Sequence, residues 1–391
     1  MKKIFISMVI LISFLLSGCY DYRELNTLAI VSGLAIDKEN EDFVITVQVI
    51  GINPLRQEEG KQIKPIIYEG RGKTIFAALR RMTLESPRRL FLNHLEIIII
   101  QEKIARYGVK NTIDFILRDY ETTKQFPVLI AKEETAAEIL KIYSPIETLT
   151  SRNISNSIDT NSKYDGIANK INYDEFISLL MKQGIQPILN GIEIKGKEKQ
   201  GTEEKSITTM KPEASLKITS LSVFKEDKLI GWLNMDETLG FNFANNRINS
   251  AVINIPCKHH NDYLAVEIIS SKATIKPTIK NNKPHITINI QTVGGIDEVN
   301  CPIKLEDNKV IEQIKKDVNK EITRLVNKAT TAAQKKYVTD IFGFGYHIYL
   351  SNPQYWQKNK QKWDDIYPTI DYKIKVETKI FTRGLLIKTI K

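Results

Sequence analysis

The sequence predicts an α+β protein (mixed α/β), with several mixed sheets flanked by helices and a multi-domain organisation. Three observations predict it. β-rich runs alternate with segments of helical period through the first third of the chain. A series of strands opens the last 178 residues, which then close on a long helix and a final amphipathic strand. At 391 residues, the chain also exceeds what one hydrophobic core supports, so two or three domains are expected.

Taken in order, residues 28–31 and 43–50 are β-rich, and the polar stretch 37–42 turns the chain between them. In the second run Val44, Thr46 and Gln48 oppose Ile45, Val47 and Val49, so both faces are partly covered. Thr74 is placed to cap a helix whose Ile75, Phe76, Leu79 and Met82 line one side. Residues 95–100 are almost continuously apolar, the pattern of a buried strand. Two short helices separated by Gly108, a strand at 125–131 and a helix at 135–142 follow. Residues 144–172, rich in Ser, Asn, Thr and Asp, read as a connecting region with little sheet content. Asn172 then caps a helix with Phe176, Ile177, Leu180 and Met181 on its apolar side and Gly184 as its stop. Residues 187–194 are strand-like, and 196–213 lack periodicity and read as a linker.

The remaining elements are strands at 216–224, 228–233, 248–255 and 263–269, then 273–280 and 285–293 joined by the turn Asn281-Asn282-Lys283-Pro284. A long helix at 308–337 carries Ile311, Ile314, Val318, Ile322, Leu325, Ala329 and Ala332 at helical spacing. That stripe is read as cover for the helix's own sheet, with a coiled-coil seam as the alternative. In the last strand, 369–381, Ile370, Tyr372, Ile374, Val376 and Ile380 face away from Asp371, Lys373, Lys375, Glu377 and Lys379. The expected division is a signal peptide at 1–18, an N-terminal region at 19–195 (subdomains 19–143 and 144–195), a linker at 196–213 and a C-terminal α+β domain at 214–391.

The signal peptide rests on Lys2 and Lys3, an apolar run at 4–16 relieved only by two serines, and Leu16-Ser17-Gly18-Cys19. The run is short of the ~20 residues a spanning helix needs, so it reads as an export signal. Leu-Ser-Gly-Cys resembles the bacterial lipobox. That resemblance implies a diacylglyceryl group on the Cys19 thiol, cleavage before it and acylation of its new amino group. Several acyl chains hold a protein on a membrane where one would be marginal. An ordinary signal peptide with an accidental cysteine is the alternative.

Charge and chemistry narrow the function further. Losing Lys2 and Lys3 lowers the formal net charge of +10 by two, and the charges are mixed in sign along the chain. No block of five like charges occurs, so no nucleic-acid groove is expected. Cys257 and Cys301 outside the cytoplasm could pair. They are read as two buried thiols in separate strand ends, since sequence does not show whether their Cα atoms come within bridging range, and a disulfide stays as the alternative. The five histidines form no metal set, and His259 and His260 point to opposite faces of an extended segment. No Cys-x-x-Cys, His-Glu-x-x-His or Gly-x-Ser-x-Gly occurs. Gly343 and Gly345 lack the third glycine of a phosphate loop and suit a tight helix–helix joint. No catalytic residue, metal or cofactor is therefore assigned, and the reading moves toward binding or assembly. The aromatics Tyr346, Tyr349, Tyr355, Trp356, Trp363 and Tyr367 are read as core between helices and a sheet, a partner-binding patch being the alternative.

Several stretches taken together resemble one family. Cys19-Tyr20-Asp21-Tyr22-Arg23-Glu24-Leu25, the following strand with Gly33 and Asp37, and 86–94 (Ser-Pro-Arg-Arg-Leu-Phe-Leu-Asn-His) match in order and spacing. So do Asp340-Ile341-Phe342-Gly343-Phe344-Gly345, Trp356 and Trp363. The pattern is similar to the Ger(x)C family, the C-subunit lipoproteins of spore germinant receptors, with Tyr20 in place of the usual tryptophan. The resemblance implies three mixed α/β domains and no catalysis. It implies a lipid-anchored subunit on the outer face of the inner spore membrane, acting in assembly and germination signalling beside an A subunit and a transporter-like B subunit. An extracytoplasmic solute-binding lipoprotein feeding a transporter is the alternative; a cell-wall hydrolase with paired carboxylates is a third.

Overall fold

The computed structural model describes residues 24–51, 65–119, 121–144, 146–197, 201–202, 212–257 and 262–382. Cys19, His259 and His260 lie outside the described residues. The first half builds on β1 (Leu28–Glu39), β2 (Asp42–Val49) and β3 (Ile66–Gly72), an antiparallel ribbon. Asn40 turns the β1–β2 hairpin with φ 53°, a conformation asparagine tolerates. Helix α1 (Ile75–Arg81) leaves β3 and is capped by the Thr74 side chain, which accepts from the Ala77 N–H. The chain then returns as β4 (Arg89–Phe91), parallel to the start of β1.

Next come β5 (Ile97–Gln101), α2 (Glu102–Tyr107), α3 (Lys110–Arg118), β6 (Val128–Ala131), α4 (Ala136–Lys141) and α5 (Thr150–Tyr164). They are followed by α6 (Tyr173–Met181), β7 (Ile188–Gly196), β8 (Ala214–Lys225) and β9 (Lys228–Trp232). The sheet runs β3-β2-β1-β5-β6-β7-β8-β9, with β4 off the path beside β1. β1, β5, β6 and β7 are parallel, so their N-terminal ends lie together.

Both faces of this sheet are buried, which is why 95–100 carries no clean alternation. Ile97 and Ile99 pack with Leu129, Ile139, Leu140, Ile154 and Ile158 under α4 and α5. Ile98 and Ile100 face the opposite core with Val128, Ile113 and Phe176, beneath α3 and α6. The region 144–172 is thus not merely connecting: it holds the 15-residue α5. That helix is polar on every side but one, so its two-isoleucine seam is a weak signal.

The sheet also continues across 196–213, where β7 and β8 pair antiparallel from Ile188↔Val223 to Gly196↔Ala214. Helix α7 (Met235–Ala244) then leads to a second, four-stranded sheet of β10 (Ala251–Pro256), β11 (Tyr263–Lys280), β12 (Lys283–Val299) and β13 (Asp371–Thr382). β11 is one strand where the sequence suggests two, because 270–272 stay paired with 291–293 through irregular register. β13 pairs parallel to β12, from His285↔Asp371 to Ile296↔Thr382.

Helix α8 (Asn308–Thr331) covers this sheet with Ile314, Val318, Ile322, Leu325, Val326 and Ala329, so the stripe serves its own core. It continues as a π-helical segment, Ala332–Tyr337, and then α9 (Phe344–Ser351), α10 (Pro353–Asn359) and α11 (Trp363–Ile366) precede β13.

Cys257 and Cys301, read as separate thiols, are joined in a disulfide with Cα atoms 5.6 Å apart. The reason is topological. β10 and β12 flank β11, and β11 begins only at Tyr263. Beyond that end the two outer chains converge, with Cys257 N–H bonded to Asp262 O and Asn300 N–H to Tyr263 O.

Candidate functional site

Two of the residues that carried the family resemblance, Asp37 and Asp340, hold buried helix starts. Asp340 is the centre of the more elaborate arrangement. Its carboxylate accepts the N–H groups of Phe344 (2.9 Å) and Gly345 (2.8 Å), the orphan donors at the start of α9. It also accepts the Trp363 indole N–H at 3.1 Å. Burial pushes this carboxyl up to about 7, against the lowering effect of those three donors.

The same residue reaches the first sheet. Asp340 O accepts the Gln186 N–H at 2.8 Å, and Tyr346 N–H donates to Gly184 O at 2.8 Å. Gly184 has φ +71°, and a Cβ there would lie 2.5 Å from the Gly345 backbone. A Cβ on Gly345 would meet Trp356 at 2.7 Å, Gly184 at 2.9 Å and Trp363 at 2.9 Å. Gly184 and Gly345 therefore form a tight joint between the α6–β7 turn and α9, whereas the sequence reading paired Gly345 with Gly343 in a helix–helix joint; Gly343 instead precedes α9 at φ +71°, beside Ile185. Trp356 and Trp363 close it edge to face at 5.2 Å, and Trp356 donates to Gln183 Oε1. They are 3 % and 7 % exposed, so these tryptophans are core. Phe241, Phe342, Phe344 and Tyr367 continue the packing ring to ring. Tyr349 remains exposed.

Asp37 plays a similar part at the other end of the first sheet. Its carboxylate accepts the N–H groups of Ala136 (2.8 Å) and Ala137 (2.9 Å) from α4, whose own cap is Thr135 in a reciprocal box with Glu138. Burial pushes Asp37 up to about 6, partly offset by those donors.

Three buried asparagines link β7, the 166–169 segment and α7. Asn169 Nδ2 donates to Asn242 Oδ1 at 2.8 Å, Asn242 Nδ2 donates to Gly166 O and Ile167 O, and Asn190 Oδ1 accepts from Asn169 N–H. Asn242 lies on α7, for which the sequence reading holds no element. The overlooked signal was Asn234-x-x-Glu237, which forms a full capping box.

Among the described residues, no group of three or more His, Cys, Asp or Glu side chains is arranged to hold a metal ion. His94 is exposed, His285 lies 3.9 Å from Asp371, and burial lowers His347. These three histidines do not converge. Two larger depressions are charged. One of about 740 Å³ along α8 is lined by Lys320, Arg324, Lys328, Lys335 and Lys336, with Asp236 bonded to Arg324 and Lys328. The other, of about 860 Å³ at the C-terminal ends of β5 and β6, is lined by Glu102, Glu133, Glu134 and Glu138 with Lys103 and Arg106. Neither brings together a nucleophile, a base and an orienting group.

Comparison with known proteins gives consistent results. Residues 21–194 match the family model described as "Spore germination protein N-terminal domain", and residues 219–384 match "Spore germination B3/ GerAC like, C-terminal". The chain is 31 % identical to spore germination protein KC of Bacillus subtilis, over 100 % of this chain and 98 % of that one. It is 27 % identical to spore germination protein B3 of the same organism, over 95 % and 96 %. The crystal structure of the GerBC protein superposes with a TM-score of 0.55 at 22 % identity, covering 92 % of this chain and 99 % of that one.

Proposed function

We infer the function of this chain from its family: it belongs to the GerAC-like spore germination proteins, and we propose that it is the lipid-anchored C subunit of a spore nutrient germinant receptor. Its work is assembly and signal transmission rather than catalysis. The observation that carries this reading is the pairing of Leu16-Ser17-Gly18-Cys19 with a body whose described helices include none long and apolar enough to cross a membrane. Acylated Cys19 would hold that body on the outer face of the inner spore membrane. Confinement there raises its effective concentration toward an A subunit and a transporter-like B subunit without any new contact. The division at 19–195 and 214–391 is retained as a proposal for the two functional regions. A solute-binding role would call for two similar lobes, whereas the two sheets differ in strand number and order.

Deleting the gene tests the reading, with paralogous receptors removed. Spores should lose their response to at least one nutrient, regain it with the intact gene, and fail to regain it with Cys19→Ala. Normal germination of the deletion strain with every nutrient would overturn the proposal.

A further inference from the structure

We propose that the helix-free face of the second sheet, across the β11–β12 hairpin and β13, is a lysine surface that this protein lays against anionic lipid headgroups. The inference rests on acylated Cys19 to bring the body to a membrane, and adds which face meets it. No run of like charge marks this surface in the sequence; strand register assembles it. Lys276 of β11 pairs with Thr287 of β12, which pairs with Lys373 of β13, so the three stand in one row across the sheet. Lys272 and Lys280 share that face along β11, and Lys283 along β12. Lys375 and Lys379 continue it along β13.

On the other face Ile275, Ile286, Ile288 and Ile290 are buried in the core beneath the helices. The outward positions of 272–280, 283–291 and 371–379 hold seven lysines, all exposed, against two acids, Asp371 and Glu377. Between them stand only Thr, Asn and Gln side chains and His285. Asp371 lies beside His285, and none of the seven lysines is ion-paired among the described residues. Lys280 and Lys283 are directly opposite each other, where like charges repel and cost stability unless an anion lies over them. Protein-binding faces are rich in aromatics and arginine and poor in lysine, the reverse of this one. A field of lysines on a sheet suits headgroup phosphates, which attract it without shaped contacts.

The tip of this hairpin stands at the end of the molecule from which the tether leaves. β7 is parallel to β1 through β5 and β6, so the α6–β7 turn lies at the end where β1 begins. Gly345 of α9 and Trp356 of α10 pack on Gly184 in that turn. Beside them Tyr355 Oη donates to Asn282 O in the hairpin tip at 3.5 Å. Cys19 precedes Leu28 by nine residues, a span of at most about 32 Å.

Thr274→Cys, at a neutral exposed position on the lysine face, and Glu41→Cys, in the β1–β2 turn at the far end of β1, would each carry a fluorophore in the full acylated chain. Cys257 and Cys301 are bonded to each other, so the introduced cysteine is the reactive thiol, with the wild type taken through the same labelling as the blank. Energy transfer to a headgroup-labelled lipid would be read on phosphatidylcholine vesicles with and without phosphatidylglycerol.

The expected result is several-fold greater transfer from 274 than from 41 on phosphatidylglycerol vesicles, falling at high salt and lost in Lys276→Glu with Lys373→Glu. Equal transfer from the two positions, or a difference that survives the charge reversal, would overturn the lysine face and leave the anchor standing. A photoreactive group at 274 that captures protein rather than lipid in spore membranes would replace the lipid surface with an acidic partner, and so overturn the proposal too. Protein that fails to bind pure phosphatidylcholine overturns the anchor alone. The lysine face then still requires pelleting with phosphatidylglycerol vesicles that the charge reversal abolishes, and falls if there is none.

Discussion

Asp340 holds three N–H donors out of water, and removing its carboxylate leaves all three without an acceptor. Asp340→Ala should lower stability by about 2–5 kcal/mol, since each orphaned buried donor costs about 1–3 kcal/mol and the losses overlap. Urea unfolding measures it, and an unchanged midpoint would remove Asp340 from its structural role. The pH dependence has a definite sign. A carboxyl raised by burial to about 7 binds more protons in the native than in the unfolded state between about pH 4 and 7. Its contribution is therefore greatest below its unfolded value and falls as pH rises through its native one. Relative to Asp340→Asn, the wild type should lose stability between pH 5 and pH 8; a flat difference would contradict the burial. Tyr367 offers a contrast, because its buried hydroxyl has no hydrogen-bond partner among the described residues. Tyr367→Phe should be neutral or slightly stabilising by the same measurement. Gly345→Ala should be clearly destabilising, since two of its three nearest neighbours are packed indoles and the third is backbone. Close packing at Gly345 was legible from glycines beside aromatics, but its partner was not, because Gly184 lies far off in sequence and reads only as a helix stop. The role of Asp340 was not, because it accepts from residues four and five positions on, outside ordinary capping spacing.

At the scale of elements, the disulfide clamps the open end of the second sheet over a separation of 44 residues. Cys257→Ser with Cys301→Ser should lower stability by about 2–4 kcal/mol, by the loss of loop-closure restraint. Unfolding curves of the two forms that coincide would show that the strands converge without the bond. Ile322 on α8 is fully buried, and Ile322→Ala should lower stability by about 2–5 kcal/mol in the same assay. A smaller effect at Ile311, only half-buried, would accompany it. The α8 stripe was readable because its apolar residues repeat at helical period over 24 residues. Helix α7 was not, since Gly240 and Asn242 lower its propensity while serving other ends. Gly240 lets α8 approach to the point where a Cβ would lie 2.1 Å from Leu325 O, and Asn242 binds the 166–169 segment. Helix α5 hid for a related reason: Ile154 and Ile158 are nearly its whole apolar seam.

For the whole molecule, the sheet that passes from β7 into β8 and β9 is the feature local pattern could not supply. Pairing between strands is a long-range property, and a polar stretch such as 196–213 reads as a boundary whether or not its two ends lie side by side. The broad class was accessible, because alternation of strands and helices and the strand-rich second half are written in periodicity. The proposed function adds at this scale that acylated Cys19 holds at a membrane a folded body with no spanning helix among its described residues. Mass spectrometry of the amino-terminal peptide of the mature protein, purified from spore membranes, tests that claim most directly. The account predicts a chain beginning at Cys19 with a diacylglyceryl thioether and an acylated amino group. A chain that retains its first eighteen residues, or begins with an unmodified cysteine, would contradict it.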